Sequence, residues 1–205
     1  IEPVKGEGFI GDVNQGGSVN FRNILFNPHG NGTHTECVGH ISSEAYNIGD
    51  CLKQYFFLAQ VISIHPQLSD GDKILIKEQF AGKLMNGIKA LVIRTLPNNE
   101  GKLSTNYSAT NPAYLDYKAM EYIRDSGVEH LLIDTPSVDR EEDGGKLLSH
   151  HIFWEYPENV QKHKTITEMI FVPDAIQDGL YFLNLQYANF ENDASPGKPV
   201  LFKVI

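Results

Sequence analysis

The sequence predicts an α/β domain rich in β structure, and three observations carry that reading. Short, mostly apolar runs such as Ala90–Thr95 and 130–134 have the composition of strands buried on both faces. One clear helical stretch lies between those two runs, and strand, helix, strand in that order implies a right-handed parallel crossover. The chain has 205 residues, 41% hydrophobic and 21% charged. It is read as a single domain over 1–205, large enough to bury roughly 70% of its unfolded surface without disulfide staples.

The elements follow in order. Residues 19–26 read as a strand running into a Gly-rich loop, because Val19, Phe21, Ile24, Leu25 and Phe26 lie between turn residues. Further strands are expected at 61–64, 73–77, Ala90–Thr95, 130–134, 167–171 and 179–185, which together make a mixed sheet. The helix is expected to start at Asn111 as N-cap, with Pro112 in its first position. Tyr114, Leu115, Ala119, Tyr122 and Ile123 form its apolar positions, and Gly127 stops it. Residues 97–110 and 140–145 read as surface loops, the second carrying four consecutive charges before two glycines.

Composition excludes several classes of function. A net charge of −9 with no Lys/Arg cluster disfavours nucleic acid and anionic membranes, which are bound by neutralising phosphate. No apolar run approaches the 18 or so residues of a membrane span, and no basic-then-apolar leader opens the chain, so a cytoplasmic protein acting on a small molecule is expected. Cys37 and Cys51 lack a CxxC spacing and are too few for a disulfide framework. Cys37 reads as a small buried side chain.

The segment 27–40 concentrates the chemistry. It places His29, His34, His40 and Glu36 within twelve residues. His34 and Glu36, two apart, share one face of an extended segment, and Gly30 and Gly32 allow the tight turn that lets His29 join them. Imidazoles with a carboxylate suit Zn²⁺, Mn²⁺ or Fe²⁺ better than Ca²⁺. No Gly-x-Ser-x-Gly elbow occurs, so a serine nucleophile is unsupported.

Read whole, this segment resembles the signature of the metal-dependent cyclase family, to which bacterial kynurenine formamidases belong. The family's pattern is a His, then Gly-(Thr/Ala)-His-x-Asp-x-Pro-x-His. Gly32, Thr33, His34 and His40 match it, Glu36 stands where the family has Asp, and Val38 where it has Pro. The family's first ligand position falls on Gly30, so His29 fills that role through a one-residue insertion. Residues 132–139 resemble the family's Asp-Thr-Pro-Ser block, and 193–196 followed by Val200 and Leu201 resemble its carboxyl-terminal end.

The resemblance implies a swivelling β/β/α fold and one or two Zn²⁺ or Mn²⁺ ions. The implied ligands are His29, His34, Glu36, His150 and Glu168. His150 is favoured over His151 because Ile152, Phe153 and Trp154 then fall on the family's hydrophobic run. Glu155 and Glu158 compete with Glu168 less well. Phe9 replaces the family's aryl-binding Trp near the amino terminus. Arg94, Asp134 and Asp139 are expected to support the ligands from behind, Asp134 by orienting a ligand His or by capping its turn.

The implied activity is hydrolysis of an amide, typically the aryl formamide N-formylkynurenine of tryptophan breakdown, by a homodimer or homotetramer. A divalent ion lowers the pKa of bound water and polarises the carbonyl under attack. His40 is the expected proton shuttle to the leaving amine, since imidazole titrates near neutral pH. Two alternatives accompany this: a metal-binding protein of the same fold without turnover, and a hydrolase or dehydratase acting on a cyclic amide or hydroxylated ring.

Overall fold

A computed structural model describes residues 1–204. They form two compact units, 1–31 and 32–204. The amino-terminal unit holds four two-residue strands: β1 (Glu2–Pro3), β2 (Lys5–Gly6), β3 (Phe9–Ile10) and β4 (Arg22–Asn23). β1 pairs with β4 and β2 with β3, both antiparallel. The strand expected over 19–26 is thus cut to Arg22–Asn23. Phe21 adds backbone hydrogen bonds to Val4 and Gly11, but the ladder extends no further, and Leu25 remains 96% exposed. Apolar content is therefore no guide to pairing there.

The larger unit is built on a closed barrel of seven strands. These are β5 (His34–Glu36), β6 (Phe56–Ile64), β9 (Ala90–Thr95), β11 (His130–Ile133), β12 (Thr165–Glu168), β13 (Gly179–Tyr187) and β14 (Ala194–Lys203), in the spatial order β11-β12-β5-β14-β13-β6-β9. β6, β9, β11 and β12 run parallel to their neighbours in that set, while β12, β5, β14, β13 and β6 are joined antiparallel. The sheet is mixed, as its strand composition predicts. Outside it, β7 (Gln67–Ser69), β8 (Asp72–Leu75) and β10 (Tyr114–Leu115) form a small three-stranded sheet. The helices are α1 (Ile48–Cys51), α2 (Tyr117–Asp125) and α3 (Leu148–Trp154). α2 links β9 to its parallel neighbour β11, and α3 links β11 to β12.

The period-2 alternation of the strands sorts their side chains into two cores. Phe57, Ala59, Val61, Ala90, Val92, Leu132, Leu183 and Leu185 fill the barrel lumen. Ile62, Ile64, Leu91, Ile93, Leu131, Ile133 and Ile166 point outward and pack with Met120 and Ile123 of α2 and Phe153 and Trp154 of α3. Full burial of each large apolar side chain contributes about 1.5–3 kcal/mol. Both faces of β9 and β11 are therefore apolar, which is why these strands were legible as continuous runs.

Several elements differ from expectation, β6 among them, which begins at Phe56 and not at Val61. α2 begins at Tyr117, capped by Asp116 accepting from the Lys118 N–H, and not at Pro112. The preceding residues are taken by β10: Leu115 N–H donates to Val138 O and Asp116 N–H to Leu75 O, and Asn111 adopts φ +48°. The stop at Gly127 (φ +82°) stands. β12 ends at Glu168 because Met169 turns to φ +54°, so the run 167–171 is half strand and half turn. The ten-residue β14, with two prolines and a glycine, was not anticipated from sequence.

Candidate metal centre

β5 lies between β12 and β14, with His34 opposite Glu168 and Glu36 opposite Ile166 on the β12 side. Cross-strand partners share a face, and Ile166 belongs to the helix-side core. His34, Glu36 and Glu168 therefore project from the outer wall of the barrel toward α3. Thr35 faces the other way, its hydroxyl 2.9 Å from that of Thr167. α3 brings His150 to the same place.

The donors converge on Glu36. Its carboxylate lies 3.2 Å from His150 Nε2, 3.9 Å from His34 Nε2 and 3.8 Å from His40 Nδ1. Glu168 approaches His34 Nε2 at 3.4 Å and His150 Nε2 at 3.8 Å, while its Oε1 accepts the Val138 N–H. One donor atom each from Glu36, His40 and His150 lies within 4.8 Å of the others. His34, Glu36 and His150 are buried, whereas the His40 side chain is 29% exposed.

The far ring nitrogens are tied down. His34 Nδ1 donates to the Gly32 carbonyl at 2.9 Å, and since that oxygen can only accept, the tautomer leaves Nε2 to face the carboxylates. His150 Nδ1 donates to Asp139 Oδ2 at 2.6 Å. Asp139 also accepts the backbone N–H groups of Ser149 and His150. Burial works to raise the Asp139 pKa, but His150 and these two donors hold it below the ordinary carboxylate range. Oriented imidazoles with carboxylate partners are the usual surroundings of a divalent ion, and this donor set of imidazole and carboxylate fits Zn²⁺ or Mn²⁺.

Asp139, not Asp134, is the carboxylate behind a ligand-type histidine. Asp134 accepts from the Thr95 N–H and from Lys102 Nζ at 2.7 Å, and so fastens the turn after β9. Arg94, on β9, donates to Asp178 and to the carbonyls of Pro173 and Ile176, so it fastens the 173–178 loop to the barrel and does not stand behind the histidines. His151 Nδ1 donates to the Tyr156 carbonyl, away from Glu36. Glu155 pairs with Lys164 and Asn159. Asp193, which sequence reasoning left out of the site, lies 3.6 Å from His40 Nδ1; only its place in the carboxyl-terminal block signalled it. His29 and Phe9 belong to the amino-terminal unit. The His29 N–H donates to Asn27 Oδ1, and Phe9 meets Phe21 edge-on at 6.2 Å.

The electrostatics give the metal-free chain a distinctive pH response. Burial would lower the pKa of His34, yet Glu168 and Glu36 raise it. In His150 burial is likewise outweighed, by Asp139, Glu36 and Glu168, and the pKa rises from 6.5 to about 10. The stability His150 contributes is complete below about 6.5 and is lost as pH rises toward 10, by about 1.4 kcal/mol per pH unit within that window. His130, in the lumen against the Phe57 ring, behaves oppositely: burial lowers its pKa to about 4, so its contribution is present above 6.5 and lost as pH falls toward 4. Urea midpoints of the metal-free protein should peak near pH 6.5. A midpoint that stays level up to pH 10 contradicts the assignment of His150.

Gly39 sets the position of His40. An added Cβ would lie 2.2 Å from the Tyr46 carbonyl oxygen and 2.9 Å from Asp193 Cβ. Gly39→Ala should therefore destabilise the fold by about 1–3 kcal/mol, the usual scale of overpacking, which thermal melts will read directly.

A family model described as "Cyclase: Putative cyclase" matches residues 4–140. The chain belongs to this family. Among solved structures, a potential metal-dependent hydrolase with cyclase activity superposes with a TM-score of 0.65 at 16% identity, covering 87% of this chain and 81% of the other. A predicted metal-dependent hydrolase from Bacillus stearothermophilus gives 0.60 at 16% identity, covering 87% and 79%. Isatin hydrolase A from Labrenzia aggregata, bound to benzyl benzoate, gives 0.65 at 16% identity, covering 91% and 77%. At this identity the likeness is one of fold. No curated protein matches the chain. Among the described residues, no helix is long and apolar enough to cross a membrane.

Proposed function

We propose that this cyclase-family chain is a metal-dependent hydrolase of a small amide. The observation that carries the reading is the convergence of His34, His150 and His40 on the Glu36 carboxylate, with Glu168 beside it. His34, Glu36, His150 and Glu168 would hold one or two Zn²⁺ or Mn²⁺ ions. Such an ion supplies Lewis acidity to water and to an amide carbonyl. The chain's own residues do the rest. Asp139 keeps His150 oriented. His40, partly exposed with Nδ1 between the Glu36 and Asp193 carboxylates, takes up a proton and returns it to the leaving amine nitrogen.

For the substrate, two amide classes are in play. The signature around His34 and His40 supports an aryl formamide such as N-formylkynurenine, and the fold shared with isatin hydrolases supports a cyclic amide. A homo-oligomer is supported by the exposed Phe56, Phe182 and Phe202 on neighbouring barrel strands.

The metal-loaded protein should hydrolyse one of these amides, lose activity on chelation and regain it with added Zn²⁺ or Mn²⁺. Assays on N-formylkynurenine and isatin in parallel identify the class. A stoichiometrically loaded protein inert toward both overturns the hydrolase reading and leaves a metal-binding protein.

A further inference from the structure

The amide reading leaves two buried nucleophiles unused. Cys37 and Cys51 are free thiols, 0% and 7% exposed, in the same lumen-side core. Their side chains interact thiol to thiol. Both are anchored to one turn. The Cys37 N–H donates to Asp193 O at 3.0 Å and its thiol to Tyr46 O at 3.4 Å, while Ile48, the first residue of α1, donates to Asn192 O at 2.8 Å. Cys51 closes that helix. The pair thus joins the end of β5, one residue past Glu36, to α1 and to the turn that carries Asp193 beside His40.

We propose that Cys37 and Cys51 form a reversible disulfide, an oxidation site for hydroperoxides lying beneath the metal-ligand loop. Two thiols already in contact in a packed core need little further chain ordering to bond. Cys51 is the more exposed sulfur and stands at the end of α1, which makes it the group a peroxide reaches and therefore the attacking group. Its thiolate attacks one peroxide oxygen, breaking the O–O bond to give a sulfenic acid and hydroxide. The Cys37 sulfur then displaces water from that sulfenic acid, and the S–S bond forms. Two thiols are oxidised and one hydroperoxide is reduced.

The bond would act on the site because the sulfurs must close to about 2.0 Å. That pulls Cys37, and with it Glu36, toward α1. Metal ligands tolerate displacements of only about 0.2 Å. Metal affinity should fall about 10- to 100-fold, the scale seen when supporting contacts of ligands are lost. This second consequence rests on the metal reading above; the disulfide itself does not.

The test treats the full-length, metal-loaded protein with hydrogen peroxide, alkylates it after unfolding, and follows intact mass, peptide cross-links and metal affinity. Expected are loss of two hydrogens, an intramolecular link between the Cys37 and Cys51 peptides, weaker metal binding, and reversal of all three by dithiothreitol. Cys51→Ser should bind metal as before and show none of these responses. Cys37→Ser should arrest at a Cys51 sulfenic acid that a cyclic dione captures. Two thiols that stay alkylatable, or a link only between chains, overturn the proposal. An intramolecular link that leaves metal affinity unchanged overturns its action on the site. A protein that binds no metal but still forms the link refutes the hydrolase reading and leaves the oxidation site standing.

Discussion

His34→Ala should lose its stoichiometric metal. The side chain is fully buried on the outer face of the barrel, its Nδ1 is committed to the Gly32 carbonyl, and its Nε2 is aimed at Glu168 and Glu36. Removing it takes one of the two oriented imidazoles from the donor set and leaves the carboxylates facing a small cavity, so affinity should drop by more than the roughly 100-fold that loss of a supporting contact costs. Elemental analysis of protein purified without chelator reads the result. His151→Ala is the matched control, because that ring is turned to the Tyr156 carbonyl, and it should keep its metal. Full occupancy in His34→Ala, or parallel loss in His151→Ala, would show the ion to be held elsewhere.

His40→Ala should slow turnover by about 10²–10⁴-fold, the ordinary contribution of a general acid–base group, while retaining metal. His40 differs from His34 and His150 in being partly exposed on a short turn, where it can exchange protons with solvent. One of its ring nitrogens also lies within 4.8 Å of donor atoms of Glu36 and His150, close enough to ligate with them. Rate and metal content measured on the one variant separate the two roles. Metal lost in step with activity makes His40 a ligand, and metal retained with the rate gone makes it the proton carrier.

The parts of the site legible from residue spacing alone are those that lie close together along the chain, whereas His150 and Glu168 were indicated only by the family resemblance. His34 and Glu36 share a face because strand side chains alternate, and nothing distant can alter that parity. Ala90–Thr95 and His130–Ile133 were legible for a similar reason, since strands covered on both sides must be apolar throughout. Residues 19–26 have similar composition and misled, because a strand needs a partner as well as apolar side chains. The start of α2 misled because Leu115 and Asp116 give their backbone donors to Val138 and Leu75, segments far away in sequence.

The 27–40 segment by itself supplied the cluster of ligand-type residues on which the metal reading rests, because residue identity and local spacing are properties of the chain. Only the tertiary structure decided between His150 and His151 as the ring that faces Glu36, since adjacent residues on a helix point about 100° apart and α3 can turn only one of them to the barrel wall. It alone selected Asp139 over Asp134 as the orienting carboxylate and brought Asp193 to His40. It also placed Glu168 across from His34, through a β5–β12 register that joins segments more than a hundred residues apart. Such contacts depend on barrel closure and strand register, which are set by the packing of the whole unit and leave no local trace in the sequence.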